Sequence, residues 1–354
     1  MSTPELVPFE MLAKEILRRC FAEEDPTMIR QWLSEQIARM VGVTDESAVL
    51  MWEDSFDFYD KLLAQREHDA SVPVAQRRIL NWPWASWNKL IDPLEPGLLA
   101  VISAPDGTGK TILAESIAEH WARQKSKVVF VHYELNRALM LDRRTSRHTS
   151  ITRRELKSGA LTPEQKERVA DTKPRLLAWD GGITYLHTPG WTMERTVEQL
   201  RKLKSEGLCD VVVLDYLEKS AASRRQLQMF GNSTNQREAD NVEQLKNFSE
   251  ETETPSLMLT QFSKSGKNTS FDNLDRTDIR GAGEKTEKAN IVILMHREKI
   301  ADGYSNLVNV LVDKNTVGGT GTFQQMMEPE YFRLGDVVRV PLVAPEYRWN
   351  GADQ

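Results

Sequence analysis

Eight consecutive residues, Ala104-Pro105-Asp106-Gly107-Thr108-Gly109-Lys110-Thr111, carry the densest chemistry in this sequence. They fit the phosphate-binding loop pattern G-x-x-x-x-G-K-[ST], except that Ala stands for the first Gly. Glycines let backbone N–H groups close on phosphate oxygens. Lys110 then supplies a charge for the β- and γ-phosphates of ATP, and the Thr111 hydroxyl a ligand for magnesium. The metal shell also needs a carboxylate at a neighbouring strand end, and Asp210-Val211-Val212-Val213-Leu214-Asp215 offers two. Asp215 is the better placed, because four apolar residues precede it and put it at the strand's C-terminal end, whereas Asp210 opens the strand. Two more polar residues end apolar runs. Glu134, after 128–133, could orient or deprotonate water, and Gln261, after 257–260, could report the γ-phosphate through its amide. Taken alone, a strand-end Glu is more often a surface charge.

These residues need strands that end together. Short apolar runs at 98–103, 127–134, 210–217, 256–263, 290–297 and 307–314 read as strands buried on both faces. Helical stretches between them supply the crossovers of a parallel sheet. After the phosphate loop, Ile112, Leu113, Ile117, Ala118 and Trp121 share one helix face, and Thr162-Pro163-Glu164-Gln165 is a capping box with Pro at the first helical position. The class is α/β with a mostly parallel core. Ahead of it, residues 9–65 carry apolar residues at the spacings of three amphipathic helices. From 71 to 96 the periodicity fades among Pro73, Pro83, Pro93 and Pro96. Trp82, Trp84 and Trp87 in that stretch either pin a linker to its neighbour or stack on bases. The division is a helical N-terminal module at 1–70, a linker at 71–96, the α/β domain at 97–340 and a tail at 341–354.

Composition narrows the classes. Apolar residues are 40% and charged residues 28% of 354, a globular balance. No run approaches the roughly 18 apolar residues of a membrane helix, and Glu5, Glu10 and Glu15 are unlike a signal peptide, so neither insertion nor secretion is expected. Cys20 and Cys209 are too few for a disulfide framework, which suits a reducing interior, and both read as buried apolar fillers. The net charge of -6 argues against a generic polyanion binder. It is uneven, however: residues 1–60 hold 13 acidic and 5 basic side chains, leaving +2 for the remainder. Nucleic-acid contact through local basic loops stays open there.

In order and spacing these motifs resemble the DnaB-like hexameric replicative helicases, a RecA-fold family that includes phage replicative helicases. The resemblance covers about 90–334. It rests on Leu94-Glu95-Pro96-Gly97 before the phosphate-loop strand, Tyr133-Glu134-Leu135 followed by Arg143, Asp215-Tyr216, Thr260-Gln261, Asp278-Ile279-Arg280-Gly281-Ala282-Gly283, and Gly318-Gly319-Thr320-Gly321-Thr322. It implies a RecA-like ATPase motor at 97–340, with Glu134 as catalytic base and Gln261 as γ-phosphate sensor. It also implies a homo-oligomeric ring of six subunits, bacterial or phage-encoded, working in the cytoplasm and translocating on single-stranded DNA. The family's channel loops correspond to 219–237, with Arg224 and Arg225, and 263–280, with Lys264, Lys267 and Arg280. Composition alone reads both as solvated loops. The N-terminal module would assemble the ring or recruit a primase, helicase loader or other replication protein. A separate cluster, Arg143, Arg144, Arg147, Arg153 and Arg154, reads as a solvated helix face or subunit contact.

One departure stands out. The family's arginine finger falls just before the glycine turn, where this chain has Asp313-Lys314-Asn315-Thr316-Val317. Asn315 or Thr316 takes the finger position, depending on register, and Lys314 is the one nearby cation. Two other readings therefore stand beside the helicase: a recombinase-like ATPase without unwinding, and a nucleotide-dependent scaffold with slow hydrolysis.

Overall fold

The computed structural model describes residues 6–22, scattered positions from 25 to 71, and 80–339 apart from 135–136, 180–181, 264–265, 267–268, 280 and 302. The chain divides into two compact units, 1–73 and 74–354. In the first, α1 (Leu6–Phe21) is the helix expected there, and Glu15 pairs along it with Arg18 and Arg19. Cys20 lies exposed on this helix, which corrects its reading as a buried filler; Cys209 is buried. The second and third expected helices lie largely outside the described residues.

The second unit is built on a nine-stranded sheet in the order β11-β10-β9-β6-β1-β5-β4-β2-β3. Its central members are β1 (Leu99–Ala104), β2 (Val128–His132), β4 (Val211–Asp215), β5 (Ser256–Gln261) and β6 (Ile291–His296), and every β1, β2 and β4 residue is buried. These run parallel, with β3 (Ile183–His187) added at one edge. Beyond β6 the sheet turns antiparallel through β9 (Leu307–Asn315), β10 (Gly321–Glu328) and β11 (Arg333–Arg339). A small hairpin, β7 (Lys299–Ile300) and β8 (Gly303–Tyr304), stands apart. The mostly parallel α/β core is as expected.

Side-chain alternation along buried strands gives two cores, one per face. Ala100, Ile102, Phe130, Val213 and Ile293 face α2 (Lys110–Arg123) and the tryptophan cluster. Val101, Val129, Val131, Val212 and Leu214 face α6 (Met193–Ser205) and α8 (Thr234–Glu251). Between them in the chain lie α3 (Arg137–Thr149), α4 (Arg153–Ser158), α5 (Pro163–Leu177) and, between α6 and α8, α7 (Arg224–Phe230). The capping box at Thr162 and Gln165 forms as expected. Trp82, Trp84 and Trp87 are buried, with Trp87 5.6 Å from Trp82 and 4.9 Å from Phe323, and Trp82 6.0 Å from Trp121. They pin the chain ahead of β1 to the sheet. Buried in this way, their faces are not open to stacking on bases.

Candidate active site

The phosphate loop leaves the C-terminal end of β1 and enters α2, whose N-cap is Gly109. Gly107 and Gly109 both have left-handed backbone, at φ 77° and 99°, a conformation that glycine adopts without the strain a side chain would bring. A Cβ at Gly109 would meet the Met327 methyl, so β10 closes tightly over the loop. The Lys110 ammonium donates to the carbonyls of Ala104 at 2.7 Å and Pro105 at 3.1 Å, and the Thr108 hydroxyl to Pro105 at 2.6 Å. Asp106 lines the mouth of the loop.

Strand order then delivers the other groups. β5 pairs beside β1 with Gln261 in register with Ala104, and β4 and β2 follow with Asp215 in register with His132. The Thr111 hydroxyl donates to Asp215 Oδ2 at 2.8 Å. Burial drives the Asp215 carboxyl up to about 6, against the Thr111 hydrogen bond and the charge of Lys110. A buried carboxylate and a hydroxyl in contact fit a hard cation that takes its remaining ligands from phosphate oxygens and water. Among the described residues no group of three His, Cys, Asp or Glu forms a metal site of its own.

Glu134 lies just past β2 and lines the same cavity of about 470 Å³ as Lys110, Thr111, Asp215 and Gln261. Its Oε1 accepts from the Tyr216 hydroxyl at 3.0 Å and sits 2.5 Å from the Lys219 ammonium. The Glu134 hydrogen bond holds the Lys219 ammonium above its ordinary range. Arg143 and Phe332 complete the wall, with the guanidinium 5.2 Å from the Phe332 ring centre.

The basic cluster therefore needs correction. Arg143 faces the cavity. Arg147 is buried, ion-paired to Glu115 and, at 2.8 Å, to Glu119, while Arg144 lies over Trp179. Arg154 is the exposed member, and Arg153 pairs with Asp142. Spacing alone would not have shown this: Arg143 and Arg147 stand four apart on α3, yet Arg147 takes both Glu115 and Glu119 while Arg143 lines the cavity.

Of the five residues expected to meet DNA, Lys264, Lys267 and Arg280 lie outside the described residues. Arg224 begins α7 and is exposed. Arg225 is engaged by Asp240 at 2.5 Å and by Glu194 at 3.4 Å. Lys314 on β9 pairs with Val292 near the start of β6, at the end of the parallel strands away from the phosphate loop. Its ammonium donates to the carbonyls of Thr286 at 2.8 Å and Glu287 at 2.9 Å, in the last turn of α9 (Ala282–Lys288). Asn315 is turned into the glycine turn, donating to Gly319 at 3.0 Å, whereas Thr316 is exposed.

Sequence reasoning missed a buried network under the sensor strand. The Lys285 ammonium on α9 lies 2.8 Å from Glu218, 2.9 Å from Glu238 and 3.1 Å from the Thr260 hydroxyl. Glu218 also accepts from the Thr260 hydroxyl and, at 3.1 Å, from the Gln261 backbone N–H. A lysine in a polar helix carries no periodic signal, so only the fold reveals it.

Comparison with known proteins agrees with this geometry. The family model described as DnaB-like helicase C terminal domain matches residues 83–336. The replicative DNA helicase DnaB of Geobacillus stearothermophilus is 26% identical over 246 residues, 68% of this chain and 53% of that protein. The replicative DNA helicase DnaC of Bacillus subtilis is 24% identical over 246 residues, again 68% of this chain and 53% of that protein. The chain thus spans about half the length of the curated relatives it matches. Among solved structures, a DnaB-like replicative helicase, solved with its interactions with primase, superposes with a TM-score of 0.72 at 16% identity, over 94% of this chain and 76% of that one. A separately solved ATPase domain gives 0.68 at 17% identity, over 79% of this chain and 98% of that one. At such identities the two structures speak for the fold.

Proposed function

The chain belongs to the DnaB-like helicase C-terminal-domain family, and on that premise we propose that it is an ATP- and magnesium-dependent motor that forms a homo-oligomeric ring and translocates on single-stranded DNA during replication. The observation that carries the proposal is the joining of Lys110, Thr111 and Asp215 in one cavity with Glu134 and Gln261, drawn from the ends of four strands. Lys110 would turn from its own loop carbonyls onto the β- and γ-phosphates, a rotation that leaves the core intact. Thr111 and Asp215 would hold magnesium, which would supply positive charge to neutralise the phosphates. Glu134 would take the proton of the attacking water and Gln261 would contact the γ-phosphate.

In this geometry one Glu134 oxygen holds both the Tyr216 hydroxyl and the Lys219 ammonium, which ties the orientation of the carboxylate even though its second oxygen can still accept from water. Lys219 opens the stretch 219–237, so a DNA phosphate competing for its ammonium would release Glu134. Basal hydrolysis should accordingly be slow and rise with DNA. Arg224 and the basic residues of 263–280 would follow the backbone without reading sequence. The same reading carries six subunits, ATP at subunit interfaces, a cytoplasmic location, and an N-terminal module that assembles the ring or recruits a primase, loader or other replication protein.

A second reading has its own support. Asn315 and Thr316 stand where an arginine would reach a neighbour, which suits a scaffold that uses ATP as interface glue. ATPase assays with and without single-stranded DNA, run beside strand displacement, separate the readings. DNA-stimulated turnover with unwinding supports the motor, stimulated turnover without unwinding a recombinase-like ATPase, and nucleotide-dependent assembly with neither the scaffold.

A further inference from the structure

Lys285 is 1% exposed, and the side chains of Glu218 and Glu238 are nearly as buried. One ammonium facing two carboxylates in a low-dielectric interior is an unusual use of a core position, since a buried carboxylate left unpaired is strongly destabilising. The positions of the partners give the arrangement its meaning. Glu218 lies three residues past Asp215 and immediately precedes the stretch 219–237; Glu238 immediately follows it. Thr260 and Gln261 end the strand that precedes 263–280, and Lys285 lies five residues beyond that stretch. Both candidate DNA stretches thus begin and end at one buried cation, and the same cluster grips the backbone N–H of Gln261.

We propose that Lys285 is a positioning residue that couples the γ-phosphate end of the nucleotide site to both DNA-facing stretches, by holding Glu218, Glu238 and Thr260 on a single buried ammonium. The inference rests on the reading of Gln261 and the two stretches given above. A shift of Gln261 toward or away from a γ-phosphate pulls on Glu218, and through Lys285 on Glu238 and the start of α8. A closely packed network of this kind holds discrete arrangements rather than deforming continuously. Coupling is reciprocal, so DNA held by the stretches biases Gln261 by the same factor.

The experiment measures single-stranded DNA affinity of the full chain with a non-hydrolysable ATP analogue and with ADP, and takes the ratio. In the wild type the two affinities should differ within the roughly 5- to 150-fold range of allosteric coupling. Lys285→Met exposes two buried carboxylates to each other and can lose the fold, so the decisive variant is Lys285→Met/Glu218→Gln/Glu238→Gln, which removes the charges and keeps shape and acceptors. That variant should bind nucleotide without DNA as the wild type does, while its affinity ratio collapses toward 1. An unchanged ratio in the folded triple variant overturns the role of Lys285 and leaves the motor intact. A wild type that binds no DNA, or binds it equally with both nucleotides, overturns the inference; in the first case the DNA reading goes with it.

Discussion

The Lys110 ammonium rests on the Ala104 and Pro105 carbonyls, so removing it takes away a phosphate ligand without opening the core. Lys110→Ala should therefore abolish ATP binding in calorimetry while thermal unfolding stays close to wild type; retained affinity would remove the loop from the site. Glu134→Gln keeps shape and loses basicity. It should bind ATP normally and lower turnover by about 10² to 10⁴, the range of general-base contributions, and normal hydrolysis would make Glu134 the surface charge its exposure also allows. A different kind of residue stabilises the same wall. Burial works against ionised Glu119, but the Arg147 guanidinium, the His148 hydrogen bond and Arg144 outweigh it and hold the carboxyl down to about 2, from an ordinary 4.5. A carboxyl depressed in the folded state contributes stability that is complete above the unfolded value and lost as pH falls through the folded one. Stability measured by urea unfolding should thus fall between about pH 4.5 and 2, and Glu119→Gln should flatten that part of the profile. Arg147→Met, which strands the buried Glu115 carboxylate and leaves Glu119 to His148 and Arg144, should cost about 3–5 kcal/mol near neutrality.

Elements differ in how plainly their sequences announce them. The strands β1, β2, β4, β5 and β6 are buried on both faces and read as apolar runs, so they and the polar residues ending them were legible: Asp215 by its four apolar predecessors, Lys110 and Thr111 by the loop pattern. The edge strand β3 and the antiparallel strand β10 were not. Ile183–His187 is half exposed, and Gly321–Glu328 mixes polar and apolar side chains because one face meets water. Distance in sequence hid the rest of the site. Phe332 reaches the cavity from the turn before β11, and Arg143 from a helix whose other arginines look like solvent-facing charge. The tryptophans were legible as a cluster but not in place. Trp87 lies within 5.6 Å of both Trp82 and Trp84 and 4.9 Å from Phe323 on β10, tying the chain before β1 to the antiparallel half of the sheet. Trp87→Ala should cost about 3–5 kcal/mol, the usual toll of a large aromatic removed from a core. Denaturant unfolding checks this, and a loss below about 1 kcal/mol, well under that range, would mean that the segment before β1 folds apart from the sheet.

On the scale of the whole molecule, the question is what completes the nucleotide site. Lys314 stands near the start of β6, while the phosphate loop follows the end of the parallel strand β1, so the lysine lies away from the phosphate loop of its own chain. Burial lowers its affinity for a proton, with Arg276 acting in the same direction, and two α9 carbonyls hold it. Extended across a ring interface it would present a flexible point charge, without the planar fork by which arginine grips a phosphoryl group. An arginine finger supplies about 10³ to 10⁵ in turnover. The two candidate positions differ in setting, since the Asn315 amide holds the glycine turn while Thr316 is exposed. Thr316→Arg should raise DNA-stimulated ATPase above wild type, and Asn315→Arg, by breaking the turn, should not. Lys314→Ala should lower it further. Because a trans-acting group works on the next subunit's nucleotide, mixing Lys314→Ala with Glu134→Gln subunits should give activity that tracks how often an intact Glu134 meets an intact Lys314 across an interface. Activity that only scales with the share of Lys314→Ala subunits, or full turnover in pure Lys314→Ala assemblies, would remove this lysine from the site and leave Arg280, Arg297 or no residue at all in the trans role.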